Sequence, residues 1–84
     1  MSQWDKLLKR IKSLSKETRF EELKKILEKY GYVMKETGGG SSHVSFRKKG
    51  RPTITIPRQT PMKQAYVLMV REVILLEEKE HEND

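Results

Sequence analysis

The apolar residues of this chain change their spacing at one glycine, and that change decides its fold class. Before Gly31, the residues Phe20, Leu23, Ile26, Leu27 and Tyr30 recur at the three- and four-residue steps of one helical face. After it the period drops to two: Tyr32 and Met34 alternate with Val33 and Lys35. The alternation returns in Ser42–Arg47, with Val44 and Phe46 set against His43, Ser45 and Arg47, and again in Thr53–Ile56. Thr37-Gly38-Gly39-Gly40-Ser41 separates the first run from the second, Lys48-Lys49-Gly50-Arg51-Pro52 the second from the third, and Pro57 stops the third. Three short strands on short connections predict an antiparallel meander.

Helical signals flank the meander. Trp4, Leu7, Leu8 and Ile11 predict a first helix within about residues 1–14, with Ser2 as its N-cap. Thr18-Arg19-Phe20-Glu21 fits a capping box at the start of the second helix, and Gly31 stands where a left-handed C-terminal cap ends it. Thr60-Pro61 predicts the start of a last helix, a hydroxyl cap followed by proline in the first turn, running to about Glu77. The apolar residues of Ala65–Leu76 cover more than one face of that helix, so part of it needs a second cover, either the first helix or another protein. The predicted class is α+β, a single domain over 1–84 with helices packed on one face of a three-stranded antiparallel sheet.

With no cysteine among 84 residues, the chain has no disulfide framework, no thiolate metal ligand and no thiol nucleophile. The longest apolar stretch, Ala65–Val70, is far short of the ~20 residues that a bilayer span needs. These features predict a cytoplasmic protein with no membrane association. Charge is distributed unevenly. Residues 77–84 hold five acids and one lysine, an acidic tail expected to fray, which leaves 17 bases and seven acids in residues 1–76. From Lys35 to Lys63 seven bases face the single acid Glu36. Such a field attracts polyanions; a merely solvated surface has the same composition.

One residue stands out chemically. Strand alternation turns His43 to the uncovered face of the sheet, between the glycine-rich loop and the basic hairpin. An imidazole titrates near neutral pH and can move a proton, which is what attack of a ribose 2′-hydroxyl on its neighbouring phosphate requires. Taken alone, a surface histidine is more often only that. Gly38–Ser42 could offer backbone amides to a phosphate, yet it matches no nucleotide-binding fingerprint and by itself fits a flexible hairpin loop better. Met62 and Lys63, at the expected start of the last helix, combine free amides with a positive dipole end, a phosphate seat that ordinary capping explains as well. No spacing supports a two-histidine metal site, a Ser-His-Asp triad or paired inward carboxylates.

The ordered set Phe20-Glu21-Glu22-Leu23, Leu27-Glu28-Lys29-Tyr30-Gly31-Tyr32, Gly40-Ser41-Ser42-His43-Val44-Ser45-Phe46, Thr55-Ile56-Pro57-Arg58, Lys63 and Tyr66-Val67 resembles the HicA family of bacterial and archaeal toxins. The likeness spans about residues 19–76. It implies a fold like the double-stranded-RNA-binding domain, endoribonuclease activity on messenger RNA without a cofactor, and silencing by a HicB-type antitoxin. It further implies that His43 is the active-site histidine and that Gly40, Ser41 and Ser42 form the loop before it. Lys35, Arg47, Lys48, Lys49 and Lys63 become the expected RNA contacts. The chain departs from the family pattern at Gln59, where many members carry another histidine, so the second proton carrier falls to a lysine, a ribose group or water. The alternatives in other classes are a non-catalytic RNA-binding module of this fold, and an interaction domain working through its last helix.

Overall fold

The computed structural model describes residues 3–36, 42–59 and 61–82. Its elements follow the order α1 (Gln3–Lys12), α2 (Phe20–Lys29), β1 (Val33–Glu36), β2 (His43–Arg47), β3 (Ile54–Pro57) and α3 (Gln64–Glu82). The strands pair antiparallel in the order β1-β2-β3. In this register Val44 lies between Glu36 and Ile56, Ser45 between Lys35 and Thr55, and Phe46 between Met34 and Ile54. Because side chains alternate across a sheet, Val44, Phe46, Ile54 and Ile56 enter one core with Leu23, Ile26 and Leu27 of α2 and Val67, Val70 and Ile74 of α3. Phe46 is fully buried and meets the ring of Phe20 at 6.4 Å, so its truncation to alanine costs about 3–5 kcal/mol. Apart from α1, this is the helix-strand-strand-strand-helix order of the double-stranded-RNA-binding domain.

The end of α2 forms as its sequence requires. Gly31 has φ of +96°, and the amides of Gly31 and Tyr32 donate to the carbonyls of Glu28 and Leu27 at 3.0 Å, closing the last turn before the chain becomes a strand. The start of α2 differs from expectation by one residue. Arg19, not Thr18, is the N-cap, and its backbone N–H donates to Glu22 Oε1 at 2.9 Å. Thr18 is instead fully buried: its hydroxyl donates to the Ser15 carbonyl at 2.8 Å, and its own carbonyl accepts the Met62 amide at 2.9 Å. A long-range backbone bond has taken the residue out of the local cap.

That same bond moves the start of α3. Pro61-Met62-Lys63 is not helical, since Met62 is buried and tied to Thr18, and the first turn begins where the Lys63 carbonyl accepts the amides of Tyr66 and Val67. With the Met62 amide occupied, the phosphate seat read there from sequence is not formed as expected. Ser2 and Thr60, the expected caps, lie outside the described residues, as does the loop 37–41.

The far end of α3 corrects the reading of a frayed acidic tail, for the helix continues to Glu82. Glu77 extends the buried stripe Val67, Val70, Ile74 and is itself only 2% exposed. Its Oε1 accepts from Lys48 Nζ at 2.6 Å and from Arg51 Nε at 3.3 Å, while Glu80 binds the other side of Arg51 and Glu78 binds Lys12 at 2.7 Å. The tail is therefore counter-charge for the hairpin and for α1. The last of these bonds, with Arg10–Glu22 at 2.8 Å and the Trp4–Tyr30 edge contact at 5.9 Å, seats α1 on α2 and α3. Leu8 and Ile11 reach the core. So α1 supplies part of the second cover that α3 needs, although Leu68, Met69, Leu75 and Leu76 stay about 40% exposed.

Candidate active site

The face of the sheet opposite the helices is built by all three strands. His43, Ser45 and Arg47 alternate on β2 with the core residues Val44 and Phe46, and the register sets Lys35 beside Ser45, Val33 beside Arg47, and Pro57 beside His43. Two residues along a strand span about 7 Å, so Arg47 and His43 bracket Ser45 within the length of one or two nucleotides. Lys35, His43 and Arg47 are exposed, as is Val33 at 58%. Ser45 is nearly buried between its neighbours, and its hydroxyl shares a hydrogen bond with that of Thr55 at 3.2 Å. The result is a strip with two cations and one imidazole, floored by a hydroxyl pair.

Pairing continues one step past the end of β2. The Arg58 amide donates to the Ser42 carbonyl at 2.8 Å, which fixes the last residue of the glycine-rich loop directly before His43. Arg58 itself turns to the helix side, where its guanidinium stands 5.9 Å from the ring of Phe20 and pairs with Glu36. Neither Arg58 nor Glu36 was expected at the site, yet both brace the sheet end that carries His43. Their signal lay in the register: each neighbours the Ser42–Val44 segment across the ladder. Gln59 follows, half-buried. Gly40 and Ser41, expected in the loop, lie outside the described residues.

The remaining sequence-derived cations separate. At the β2–β3 turn the Arg51 amide donates to the Lys48 carbonyl at 3.0 Å and Gly50 adopts φ of +80°. Lys49 is exposed in that turn, but Lys48 folds to the opposite side, over the ring of Tyr32 at 5.7 Å and onto Glu77. Burial opposes the charged form of Glu77; the hydrogen bonds and charges of Lys48 and Arg51 outweigh it and hold the carboxyl below its usual range. Lys63 is exposed immediately before α3, off the sheet. Sequence reasoning missed Glu77 because it was counted with the tail, although the steps from Val70 to Ile74 to Glu77 place it on the buried helical stripe.

Among the described residues no three histidines or acids gather as a metal site, and no helix is long and apolar enough to cross a membrane. Comparison with protein families matches residues 20–75 to the family described as HicA toxin of bacterial toxin-antitoxin. No curated protein and no solved structure matches the chain. The family match runs from the first residue of α2 through all three strands to Leu75 of α3, taking in His43 and both faces of the sheet, and on that ground the chain belongs to the HicA toxins of toxin–antitoxin systems.

Proposed function

We propose that this toxin is a metal-independent endoribonuclease acting on messenger RNA, with His43 as its general acid or base. The observation that supports the reading most is the register of β2, which sets His43 on the same exposed face as Lys35 and Arg47. In the proposed reaction His43 takes the proton from a ribose 2′-hydroxyl as that oxygen attacks the adjacent phosphorus. The bond to the 5′-oxygen breaks as that oxygen takes up a proton from a nearby lysine or from water, leaving a 2′,3′-cyclic phosphate and a 5′-hydroxyl. Lys35 and Arg47 offset the charge that builds on the phosphoryl oxygens. Gly40, Ser41 and Ser42 are proposed to meet the RNA backbone, and Lys49 and Lys63 to extend the RNA contact beyond the strip. Lys48, expected among these contacts, serves the fold instead through Glu77.

A HicB-type antitoxin is proposed to silence the enzyme by covering His43 and the cationic strip, and a messenger-RNA substrate places the toxin in the cytoplasm. The test is incubation with a mixed messenger-RNA substrate in EDTA, wild type beside His43→Ala, with fragment 3′ ends identified. Cyclic phosphate ends from wild type alone support the mechanism. Cleavage abolished by EDTA contradicts it, and equal RNA binding without cleavage by either protein leaves the chain a non-catalytic RNA-binding module.

A further inference from the structure

The outer face of α3 has no role in the proposed reaction. Leu68 and Leu75 form one ridge on it and Met69 and Leu76 a second, each pair seven residues apart and each residue about 40% exposed. Ala65, Glu72 and Lys79 lie between the ridges, all exposed, and among the described residues Glu72 and Lys79 take no part in an ion pair. Beside the second ridge a groove of about 320 Å³, walled by Tyr32, Pro52, Ile54, Met69, Val73 and Leu76, carries the apolar surface on toward β3. The opposite side of α3 lays Val67, Val70 and Ile74 on the sheet, so this face points away from His43.

We infer that this face pairs with the same face of a second copy of the chain, the two α3 helices running antiparallel about a twofold axis between Leu75 and Leu76. The charges on the helix select that arrangement. A parallel pair sets Glu72 on Glu72 and Lys79 on Lys79, and an antiparallel pair centred on Glu72 sets the two carboxylates together. With the axis between residues 75 and 76, each Glu72 faces the Lys79 of the other copy, twice over by symmetry, around a centre of four leucines. Both open sheet faces stay on the outside of the dimer, so association leaves the His43 strips accessible. The patch is small beside the ~800 Å² per partner of a standard interface, which makes the dimer a weak one, formed at high concentration.

Sedimentation equilibrium over a series reaching millimolar protein tests this directly on the full chain. The expected result is a rise from one chain to two, with Glu72→Lys and Lys79→Glu each raising the dissociation constant about tenfold or more and the double exchange returning it to near the wild-type value. Leu75→Ser abolishes the rise; the position is exposed, and circular dichroism confirms that the variant is folded. A single chain at every concentration overturns the inference. So does a dimer indifferent to Lys79→Glu, or one that the double exchange fails to restore.

Discussion

Arg47 and Lys48 are neighbours in one basic run and end in opposite surroundings. Arg47, the last residue of β2, points to the open face of the sheet and is exposed beside Val33. Lys48, one residue later, falls on the helix side, stacks over Tyr32 and is held by the buried carboxylate of Glu77. Arg51 joins it there, 16% exposed and bound by Glu77 and Glu80. A cation on the first side keeps its hydration and its charge for a polyanion; a cation on the second has its charge answered inside the fold. Counting bases along the sequence overstates the positive surface, because strand alternation and one buried glutamate divide the run in two.

The largest effect tests the open face. His43→Ala is expected to lower cleavage by about 10²–10⁴-fold while the protein stays folded, since the side chain is exposed. Cleavage assays paired with thermal melts check it, and a folded His43→Ala protein that still cuts would remove the histidine from the mechanism.

Next comes the buried side. Glu77→Ala leaves Lys48 and Arg51 facing an empty site, and because both retain some access to water the expected cost is about 1–3 kcal/mol, a melting midpoint lower by roughly 5–15 °C. The pH dependence follows from the depressed pKa. The stabilisation from Glu77 is full above the usual carboxylate range and is lost as pH falls through the lowered folded value, because the unfolded chain takes up the proton first. Urea midpoints measured against pH should show wild type losing stability in acid more steeply than Glu77→Gln, with the gap between the two closing at low pH. Parallel curves would mean that the ion pairs contribute nothing.

A direct comparison of the two neighbours is sharper though smaller. Arg47→Ala should weaken RNA binding roughly three- to tenfold and lower the salt slope of affinity by about 0.7, with stability unaltered. Lys48→Ala should do the reverse, lowering stability and leaving the salt slope unchanged. Filter binding at several salt concentrations, with melts on the same samples, decides it; equal salt slopes for the two variants would dissolve the distinction. The smallest effect belongs to Ser45→Ala, expected to cost less than about 1 kcal/mol through loss of the shared hydrogen bond with Thr55 and to leave cleavage intact, provided that the hydroxyl pair is only the floor of the strip.

Much of the fold was legible in one dimension because its signals are local. The three strand patterns, the stop at Gly31 and the placement of His43, Ser45 and Arg47 on one face all follow from the alternation of neighbouring residues, and the structure bears them out. The expectations that moved were those overruled by distant contacts. Thr18 lost its cap role and α3 its proline start through a single bond between the Thr18 carbonyl and the Met62 amide. The acidic tail became helix because Glu77 found Lys48 and Arg51 across 29 and 26 residues. Within the candidate site the histidine and its two strand cations were readable, whereas the bracing pair Glu36–Arg58 was not, since it joins residues 22 apart, one at the end of β1 and the other just past the end of β3.

The α+β class, the meander and the face that His43 occupies were set locally, because hydrophobic period and glycine placement act over a few residues and need no knowledge of the whole. Which cations remain on the surface, where α3 begins and ends, and which apolar side chains α1 leaves uncovered were settled by contacts between distant parts of the chain. Those outcomes depend on which charges and carbonyls meet in space, and a buried carboxylate chooses its partners by distance in the folded chain rather than by position along it.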